Sequence, residues 1–311
     1  MSKVFRRVTE TVCFLALSVA FVACAGSPEE QLSSVESAFN GFDHFQRSVV
    51  QSDPPTGTVA AKVNDRYRAA FSPYQTPTAM SKLGDGDVVL LFRAAHMTFV
   101  YGVSARALGD MQLDLAELRR RGIARDAQYA NVYASLIQMR YFDEARAFAR
   151  LLPRTVSIEP VPVVADDSTR QGPTALLVHA GGSKLERKSV DLRSGRRIVV
   201  VSSPLCHFSQ RAVRSIEGDA ALRALFHEHA VWVVPPDQST PFETIAKWNR
   251  VHPQESMAVA YRREEWPMVD RWETPVFYFF REGRMVGKVI GWPVAGRKAE
   301  IRRSLKRAGL M

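Results

Sequence analysis

The residues of this chain best suited to chemistry are a cysteine and a serine three positions apart. Cys206, His207 and Ser209 stand between the apolar run 198–201 and a stretch with helical spacing. A cysteine in the first turn of a helix meets unpaired N–H groups and the positive end of the helix dipole, and both favour its thiolate. We therefore predict a reactive thiol at Cys206, to which Ser209 donates a hydrogen bond and near which a protonated His207 adds positive charge.

The small number of cysteines limits the exchange chemistry open to Cys206. The chain has three cysteines, and the other two, Cys13 and Cys24, lie near the N-terminus. In a two-thiol cycle the second thiolate attacks a mixed disulfide and releases the client, and the hydroxyl of Ser209 cannot do this. An ordinary dithiol cycle is therefore excluded unless an outside thiol resolves the intermediate. The alternative is that Cys206 is an inert, small apolar side chain at the end of a strand.

The N-terminal segment has the residue order of an export signal. Three basic residues precede an apolar run over 12–22 and a small-residue stretch over 23–27. Basic, apolar and small residues in that order are typical of a secretory signal peptide. The apolar run is shorter than the stretch of about 20 residues that a membrane-spanning helix needs. We predict a signal peptide over residues 1–25 and an exported protein.

The segment Phe21-Val22-Ala23-Cys24 resembles a bacterial lipoprotein box. The resemblance implies a signal over residues 1–23 and a lipid on Cys24, which would make the membrane a partner through that lipid. With Ala25 in the following position, lipoproteins of this kind lie on the periplasm-facing outer membrane. Without the lipid, the expected location is the periplasm.

Two other cleavage sites stay open. Cleavage after Ala25 removes Cys24 and leaves Cys206 as the only thiol, as lipidation of Cys24 also would. Cleavage after Ala20 instead leaves Cys24 free to pair with Cys206. The redox chemistry of the mature chain therefore depends on which site is used.

The chain is basic, with a formal net charge of +10. Basic excess can indicate nucleic acid, but no Lys/Arg run stands beside interleaved aromatic residues as a nucleic-acid groove requires. Arginine clusters such as 119–121 and 302–303 stand at expected helix ends, where they favourably meet the negative end of the dipole. We predict no nucleic-acid partner, and anionic lipid or cell-wall polymer is the expected neighbour.

No metal site and no cofactor are predicted. His227 and His229 flank Glu228, but the sequence identifies no further ligand close to them, so solvated residues at a helix end are the favoured interpretation. The aromatic residues of the run 276–280 alternate across a core strand and do not indicate a cofactor. No glycine-rich phosphate loop or Ser-His-Asp ordering is present.

Residues 26–153 are predicted to form a helical domain. Apolar residues recur there at spacings of three and four, and the breaks fall at turn residues. Two helix pairs are clear. They are 88–103 with 105–121, and 126–139 with 142–152.

The second pair resembles a tetratricopeptide repeat. Its small residue Ala145 stands where that family lets paired helices approach closely, and Pro153 stands where a proline closes the repeat. The resemblance implies a protein partner on the helical domain. An ordinary antiparallel helix pair of a small bundle is the alternative, because a solenoid normally needs at least three repeats.

A linker is predicted over residues 154–173, which contain Pro160, Pro162, Asp166, Asp167 and Gly172. Residues 174–311 then alternate between strands and helices. The predicted strands are 176–179, 188–192, 198–202, 231–234, 276–280 and 286–290. The predicted helices are 209–216, 220–227, 242–248 and 297–308. This order implies an α/β sheet with an antiparallel edge at a hairpin across residues 281–284.

The order of elements in this half resembles a thioredoxin fold. It runs strand, Cys-x-x-Ser, helix, strand, helix, Thr274-Pro275, strand, hairpin and helix. The proline is suited to a cis peptide at a strand start. In that family the matching proline lies against the active sulfur, and the residue before it contacts an extended substrate. By this resemblance, Thr274 and Pro275 line the substrate side of the site. The predicted fold class is therefore α plus α/β, with a helical domain (bundle or tetratricopeptide-like) followed by a thioredoxin-like α/β domain.

These observations favour a monothiol exchanger or client-retention factor of the cell envelope, in which Cys206 forms transient mixed disulfides with exported client proteins or with small thiols. The alternative is a non-enzymatic adaptor, in which the helix pairs bind a partner and the thioredoxin-like half is a binding platform. A third hypothesis is a peroxidase-like relative, because residues 188–192 ahead of the next strand resemble the opening of peroxiredoxins. In those proteins a threonine stands where this chain has Ser203.

Overall fold

The computed structural model describes residues 32–51, 56–166, 172–236 and 241–311. The predicted signal peptide and its lipidation site, Cys24, lie outside these ranges, and so do the cleavage sites considered above. Within these ranges, no helix combines the length and the apolar character needed to cross a membrane.

The first half of the described chain is helical, as predicted. Its helices are α1 (Ser34–Gln51), α2 (Thr56–Phe71), α3 (Pro77–Met80), α4 (Asp85–Gly102), α5 (Ala105–Arg120), α6 (Asp126–Gln138) and α7 (Phe142–Ala149), with a 3-10 turn at Ser72–Tyr74 between α2 and α3. The two predicted helix pairs are confirmed as α4 with α5 and α6 with α7. The apolar faces of α1, α2 and α4 to α7 form one core.

Local residue chemistry sets the ends of these helices. Helix α4 ends at Gly102, and its C-cap residue Val103 adopts a left-handed conformation with φ 44°. Ser104 then caps α5, because its side chain accepts the N–H of Ala107. In the second pair, Ala145 is fully buried, as close approach of two helices requires.

The second half is built on a sheet. Its strands are β1 (Val163–Asp166), β2 (Thr174–Val178), β3 (Lys184–Ser189), β4 (Arg196–Val201), β5 (Ala230–Val234), β6 (Met257–Ala260), β7 (Val276–Arg281) and β8 (Arg284–Ile290). Its helices are α8 (His207–Glu217), α9 (Ala220–His229), α10 (Phe242–Val251) and α11 (Lys298–Ala308), with 3-10 turns at Pro253–Glu255 and Arg263–Glu265.

The eight strands form one mixed sheet in the order β1-β3-β2-β6-β5-β4-β7-β8. Strands β4, β5 and β6 are parallel, and the predicted antiparallel edge is confirmed, because β7 and β8 pair antiparallel beyond β4. All of 198–201 is buried on both faces. Helices α8 to α11 cover one face, and Trp266 and Trp272 cover the other.

Three strands differ from the sequence-based expectation. Strand β1 lies inside the stretch predicted as a linker and pairs in parallel with β3. Strand β3 covers 184–189 instead of 188–192, because its charged residues are tolerated near the sheet edge, where Arg187 pairs with Asp166 and Glu265. Strand β6 was not predicted, because a fully buried run of four apolar residues has no alternation to reveal it.

The two halves contact each other through the turn between α6 and α7. Arg140 is only 8% exposed and donates hydrogen bonds to the carbonyl oxygens of Ala260 at 3.1 Å, Tyr261 at 3.2 Å and Pro236 at 3.4 Å. Two residues later, Phe142 packs into the core between the sheet and its helices. The helical half is therefore fixed to the end of the parallel strands.

Candidate functional site

The backbone after β4 places Cys206 at the start of a helix. The N–H of Ser202 donates to Val233 O at 2.8 Å, which ties the end of β4 to β5. The N–H of Cys206 then donates to Ser203 O at 3.1 Å, and Cys206 O accepts from Gln210 at 3.0 Å as the first hydrogen bond of α8. Cys206 is thus the N-cap residue of α8.

The opposite wall of the site is the residue pair before β7. The Thr274–Pro275 peptide bond is cis, and Pro275 is buried. Strands β4 and β7 pair antiparallel, so the end of β4 lies beside the start of β7. The loop from β4 to Cys206 therefore meets Pro275 at the same end of these strands. The thiol of Cys206 donates to Thr274 O at 3.2 Å.

This arrangement places a helix-start cysteine against a cis-proline loop, beside a parallel strand pair and an antiparallel hairpin. The fold of this half is thioredoxin-like. Of the predicted site residues, Cys206, Ser209 and Thr274 all contact the sulfur or carry it, and Pro275 follows directly.

The pKa of Cys206 is the net result of opposing effects. Partial burial raises the pKa, but the Thr274 side chain, the backbone and side chain of Ser209 and the backbone of Phe208 together lower it below the ordinary value. The Thr274 carbonyl acts the other way, because it accepts the S–H proton of the thiol form only. The balance of these effects favours the thiolate.

Ser209 and His207 take different places around the sulfur. Ser209 is fully buried, and its Oγ accepts the N–H of Ser203 at 3.4 Å, so its hydroxyl proton is available to the sulfur. His207 is exposed, and its ring packs on Phe208 with the ring centroids 4.0 Å apart. The groups that lower the pKa of Cys206 are those of Thr274, Ser209 and Phe208. The role of His207 next to the thiolate stays a prediction.

Two exposed apolar side chains flank the thiol, and sequence reasoning had not assigned them a role. Leu205 is 64% exposed and Phe208 is 41% exposed. The Arg211 guanidinium lies 5.6 Å from the Phe208 ring centroid. Single exposed apolar residues are ordinary, but these two stand on either side of Cys206 in the sequence, so apolar surface borders the thiol. The sequence signal for these two residues was the presence of apolar side chains directly before Cys206 and two positions after it, at the start of a helix.

Cys206 is a free cysteine, and it is the only cysteine among the described residues. Its thiolate can attack a disulfide, form a new S–S bond with one half and release the other half as a thiolate. Ser209 cannot reverse this step, because a hydroxyl is not deprotonated at neutral pH. The site can capture a disulfide partner, and release then requires a second thiol from outside the site.

A second cluster of titratable groups lies at the far end of α8. The sequence had left His227 without a partner, and the structure brings Glu217 and Glu255 to it. His229 instead contacts the exposed Glu228 at 3.6 Å. The one group of possible metal ligands found in the described ranges is therefore Glu217, His227 and Glu255.

Comparison with known proteins gives little beyond this geometry. No family model matches the chain, and no curated protein matches it. A solved structure described as a thioredoxin-like protein from Bacteroides caccae ATCC 43185 is similar over 90% of this chain and 96% of its own length, at 12% sequence identity and a TM-score of 0.30. Because that score is low, the assignment of the fold rests on the strand topology and on the contact between Cys206 and Thr274.

Proposed function

We propose that this protein is an exported thioredoxin-like protein that captures disulfide partners through the single thiol of Cys206. The observation that supports this most strongly is the position of its Sγ, at the start of α8 and 3.2 Å from the carbonyl of Thr274. Partial burial raises the thiol pKa, but hydrogen bonds from Thr274, Ser209 and Phe208 outweigh it and lower the pKa overall. A cysteine with these neighbours is more reactive at neutral pH than an ordinary one.

The partners we propose are exported client proteins or small thiols. Leu205 and Phe208 offer apolar contacts beside the sulfur, and the backbone before Pro275 can align an extended segment. The location that we propose is the periplasm, or the periplasm-facing outer membrane if Cys24 carries a lipid. No nucleic-acid partner is proposed.

The proposal is tested by following the Cys206 adduct directly. The purified full chain, with Cys13→Ser and Cys24→Ser so that Cys206 is its only thiol, is treated with oxidised glutathione, and the intact mass is recorded before and after added dithiothreitol. We expect one glutathione on Cys206 that persists after excess disulfide is removed and leaves only when the outside thiol is added. Cys206→Ser is the control and should lack this adduct.

The pH dependence of alkylation tests the state of the thiol. We expect the midpoint for iodoacetamide reaction at Cys206 to lie below about 8.5, the ordinary thiol value. Thr274→Val removes the hydroxyl that lowers the pKa and should slow the reaction at neutral pH by about two- to tenfold, the effect of one hydrogen bond of about 0.5–1.5 kcal/mol. A midpoint at or above the ordinary value in the unchanged chain would contradict the proposal.

A non-enzymatic adaptor is the second candidate, and the contact between the halves favours it. A cavity of about 250 Å³ lies between α6 and the sheet, lined by residues that include Tyr133, Ile137, Phe242 and Val259. An adaptor that uses this cleft would keep its partner when Cys206 is replaced by alanine and lose it on Ile137→Glu. Loss of all partner capture in the folded Cys206→Ala variant would leave only the thiol function.

A further inference from the structure

The corner between α8 and α9 brings together three side chains from separate parts of the chain. Glu217 is the last residue of α8, His227 lies near the end of α9, and Glu255 ends the 3-10 turn before β6. His227 Nε2 lies 2.9 Å from Glu217 Oε1 and 2.9 Å from Glu255 Oε1. One nitrogen and two carboxylate oxygens thus converge on one point.

Protons alone satisfy this arrangement poorly. The Nε2 atom carries at most one proton, and two carboxylate oxygens face it at equal distance. Glu255 is also buried, with its side chain only 5% exposed. In the described part of the chain, the ion pairs of these two carboxylates are with histidines and not with lysine or arginine. The corner therefore offers more electron-pair donors than the proton on Nε2 can satisfy.

The spacing of the three atoms fits a metal ion. Zinc lies about 2.0–2.2 Å from histidine nitrogen and carboxylate oxygen, so two ligands of one tetrahedral ion stand about 3.3–3.6 Å apart. The two N–O distances of 2.9 Å would lengthen by about 0.4–0.7 Å when the ion binds, and all three ligand atoms lie within 4.8 Å of one another. A mixed set of one imidazole and two carboxylates suits zinc and similar transition metals better than magnesium or calcium, which prefer oxygen ligands alone.

The surrounding residues hold this corner in place. Trp248 Nε1 donates to Glu255 O at 3.0 Å, which fixes the turn that carries the buried carboxylate. The Trp248 ring also stacks on His252 with the ring centroids 4.0 Å apart, and His252 Nδ1 lies 3.9 Å from Glu255 Oε2. Ordered neighbours of this kind orient metal ligands before the ion binds.

We propose that Glu217, His227 and Glu255 bind one divalent transition-metal ion, with zinc as the best fit. Water completes the coordination. The ion ties the end of α8 to α9 and to the turn that leads into β6. It stands at the opposite end of α8 from Cys206, about 16 Å away along the helix axis, so its role is to stabilise this corner and it does not touch the thiol.

The test uses the chelator-treated full chain. Zinc chloride is titrated by calorimetry at neutral pH, and cobalt(II) is added in a parallel sample to report ligand type by visible absorption. We expect one equivalent of zinc, a higher melting temperature with zinc, and cobalt bands without a thiolate charge-transfer band. Glu217→Gln and Glu255→Gln should each weaken binding by at least about tenfold, the lower end of the loss seen when groups supporting a ligand are removed.

Two matched variants complete the design. Glu228→Gln changes an exposed carboxylate on the same helix as His227 and should bind zinc as the unchanged chain does, as should Cys206→Ser. Glu217→Gln keeps the test valid if Glu255→Gln does not fold, because Glu217 is partly exposed. The proposal is overturned if the chain binds no zinc, if it binds only calcium or magnesium, if Glu217→Gln binds as tightly as the unchanged chain, or if Cys206→Ser loses the ion.

Discussion

At the scale of single residues, the function that we propose depends on one side-chain atom, the oxygen of Ser209. The hydroxyl of Ser209 is buried next to the Cys206 sulfur, where it lowers the thiol pKa. A thiol in the place of this hydroxyl could attack a mixed disulfide on Cys206 and so release the bound partner. In the proposed function, Cys206 therefore captures a partner and an outside thiol releases it.

The first prediction is that Ser209→Cys restores release. After reaction with oxidised glutathione, the thiol introduced at position 209 should attack the adduct on Cys206, form an internal disulfide and expel reduced glutathione. Intact mass should then show a chain lighter by two hydrogens, whereas the unchanged protein keeps its adduct. An adduct that persists in the variant beside an unreacted thiol at position 209 would show that the two side chains are not in reach of each other.

A second residue with unusual chemistry lies in the helical half. Asp114 of α5 is fully buried, and burial raises its pKa well above the ordinary value, with nearby Asp110 adding to the rise and a hydrogen bond from Gln75 opposing it. The protonated form is therefore favoured on folding. Its contribution to stability is present below the unfolded pKa of about 3.9 and is lost as pH rises through the folded pKa.

The second prediction follows from this titration. Asp114→Asn replaces the acid by a neutral side chain of the same shape, so the variant should gain stability relative to the unchanged chain as pH rises from about 4 to about 8. Urea denaturation at several pH values measures the difference in the free energy of unfolding. Asp143→Asn, at a side chain that is 96% exposed, is the control and should show little change with pH. An Asp114→Asn difference that does not vary with pH would mean that Asp114 is ionised in the folded chain.

At the scale of elements, the edge strand β8 and the last helix α11 meet at a glycine. A Cβ atom at Gly287 would lie 2.9 Å from the Cβ and Oγ of Ser304. Ser304 is itself buried, so it has little room to move. The close approach of α11 to the sheet thus depends on the absence of one methyl group.

The third prediction compares two glycine-to-alanine changes that should shift the free energy of unfolding in opposite directions. Gly287→Ala should lower the free energy of unfolding by about 1–3 kcal/mol, because it overfills the contact with Ser304. Gly109→Ala lies inside α5, in its second turn, with no atom within 4 Å of the new methyl group, and it should raise the free energy of unfolding by about 0.5–1 kcal/mol. Equilibrium denaturation in urea measures both. Equal effects at the two sites would mean that helix propensity and packing are not the deciding causes.

Elements with a strong local signal could be predicted from the sequence. Strand β4 is a β-branched apolar run, and β7 with β8 is a hairpin around a glycine turn, so local residue types determine them. The helix start at Cys206 followed from the strand before it. These elements carry the thiol and the cis-proline loop, so the sequence was enough to predict that Cys206 and Thr274 lie together.

Elements that depend on distant partners could not be predicted. Strand β6 is a strand because it lies between β2 and β5, and Leu177 is paired with Ala258, which is far from it in the sequence. The charged residues of β3 are compatible with a strand only because Glu265 and Asp166 neutralise Arg187. The same reason applies to the corner around His227, whose members come from three elements. Spacing within one segment contains no information about such contacts.

At the scale of the whole molecule, one arginine connects the two halves. Arg140 donates to three backbone carbonyl oxygens of the sheet half while almost completely buried. A guanidinium can serve several acceptors at once, and its removal leaves those carbonyls without a donor. The contact therefore stabilises the arrangement of the halves more than any exposed ion pair does.

The fourth prediction is that Arg140→Met loosens the join between the halves. The loss of hydrogen bonds to a charged donor should cost about 1.5–3 kcal/mol or more, and hydrogen exchange should rise at the backbone near Ala260 and across α7. Arg146→Met removes an exposed partner of Asp143 on the same helix and should leave exchange unchanged. If exchange near Ala260 were unchanged in Arg140→Met, the halves would be held together by their apolar contacts alone.

The place of β6 in the sheet has a consequence for the order of assembly during synthesis. The early pair β2–β3 and the later group β5-β4-β7 meet only through β6, which is made after both β2 and β5. The carbonyls of Ala260 and Tyr261 that receive Arg140 come from the same late segment. A nascent chain that stops before residue 257 therefore has no continuous sheet, and it has only Pro236 O among the three acceptors of Arg140. Ribosome-bound chains should thus gain protease resistance late and abruptly, once β6 and the strands β7 and β8 that follow it have emerged, and not gradually with length.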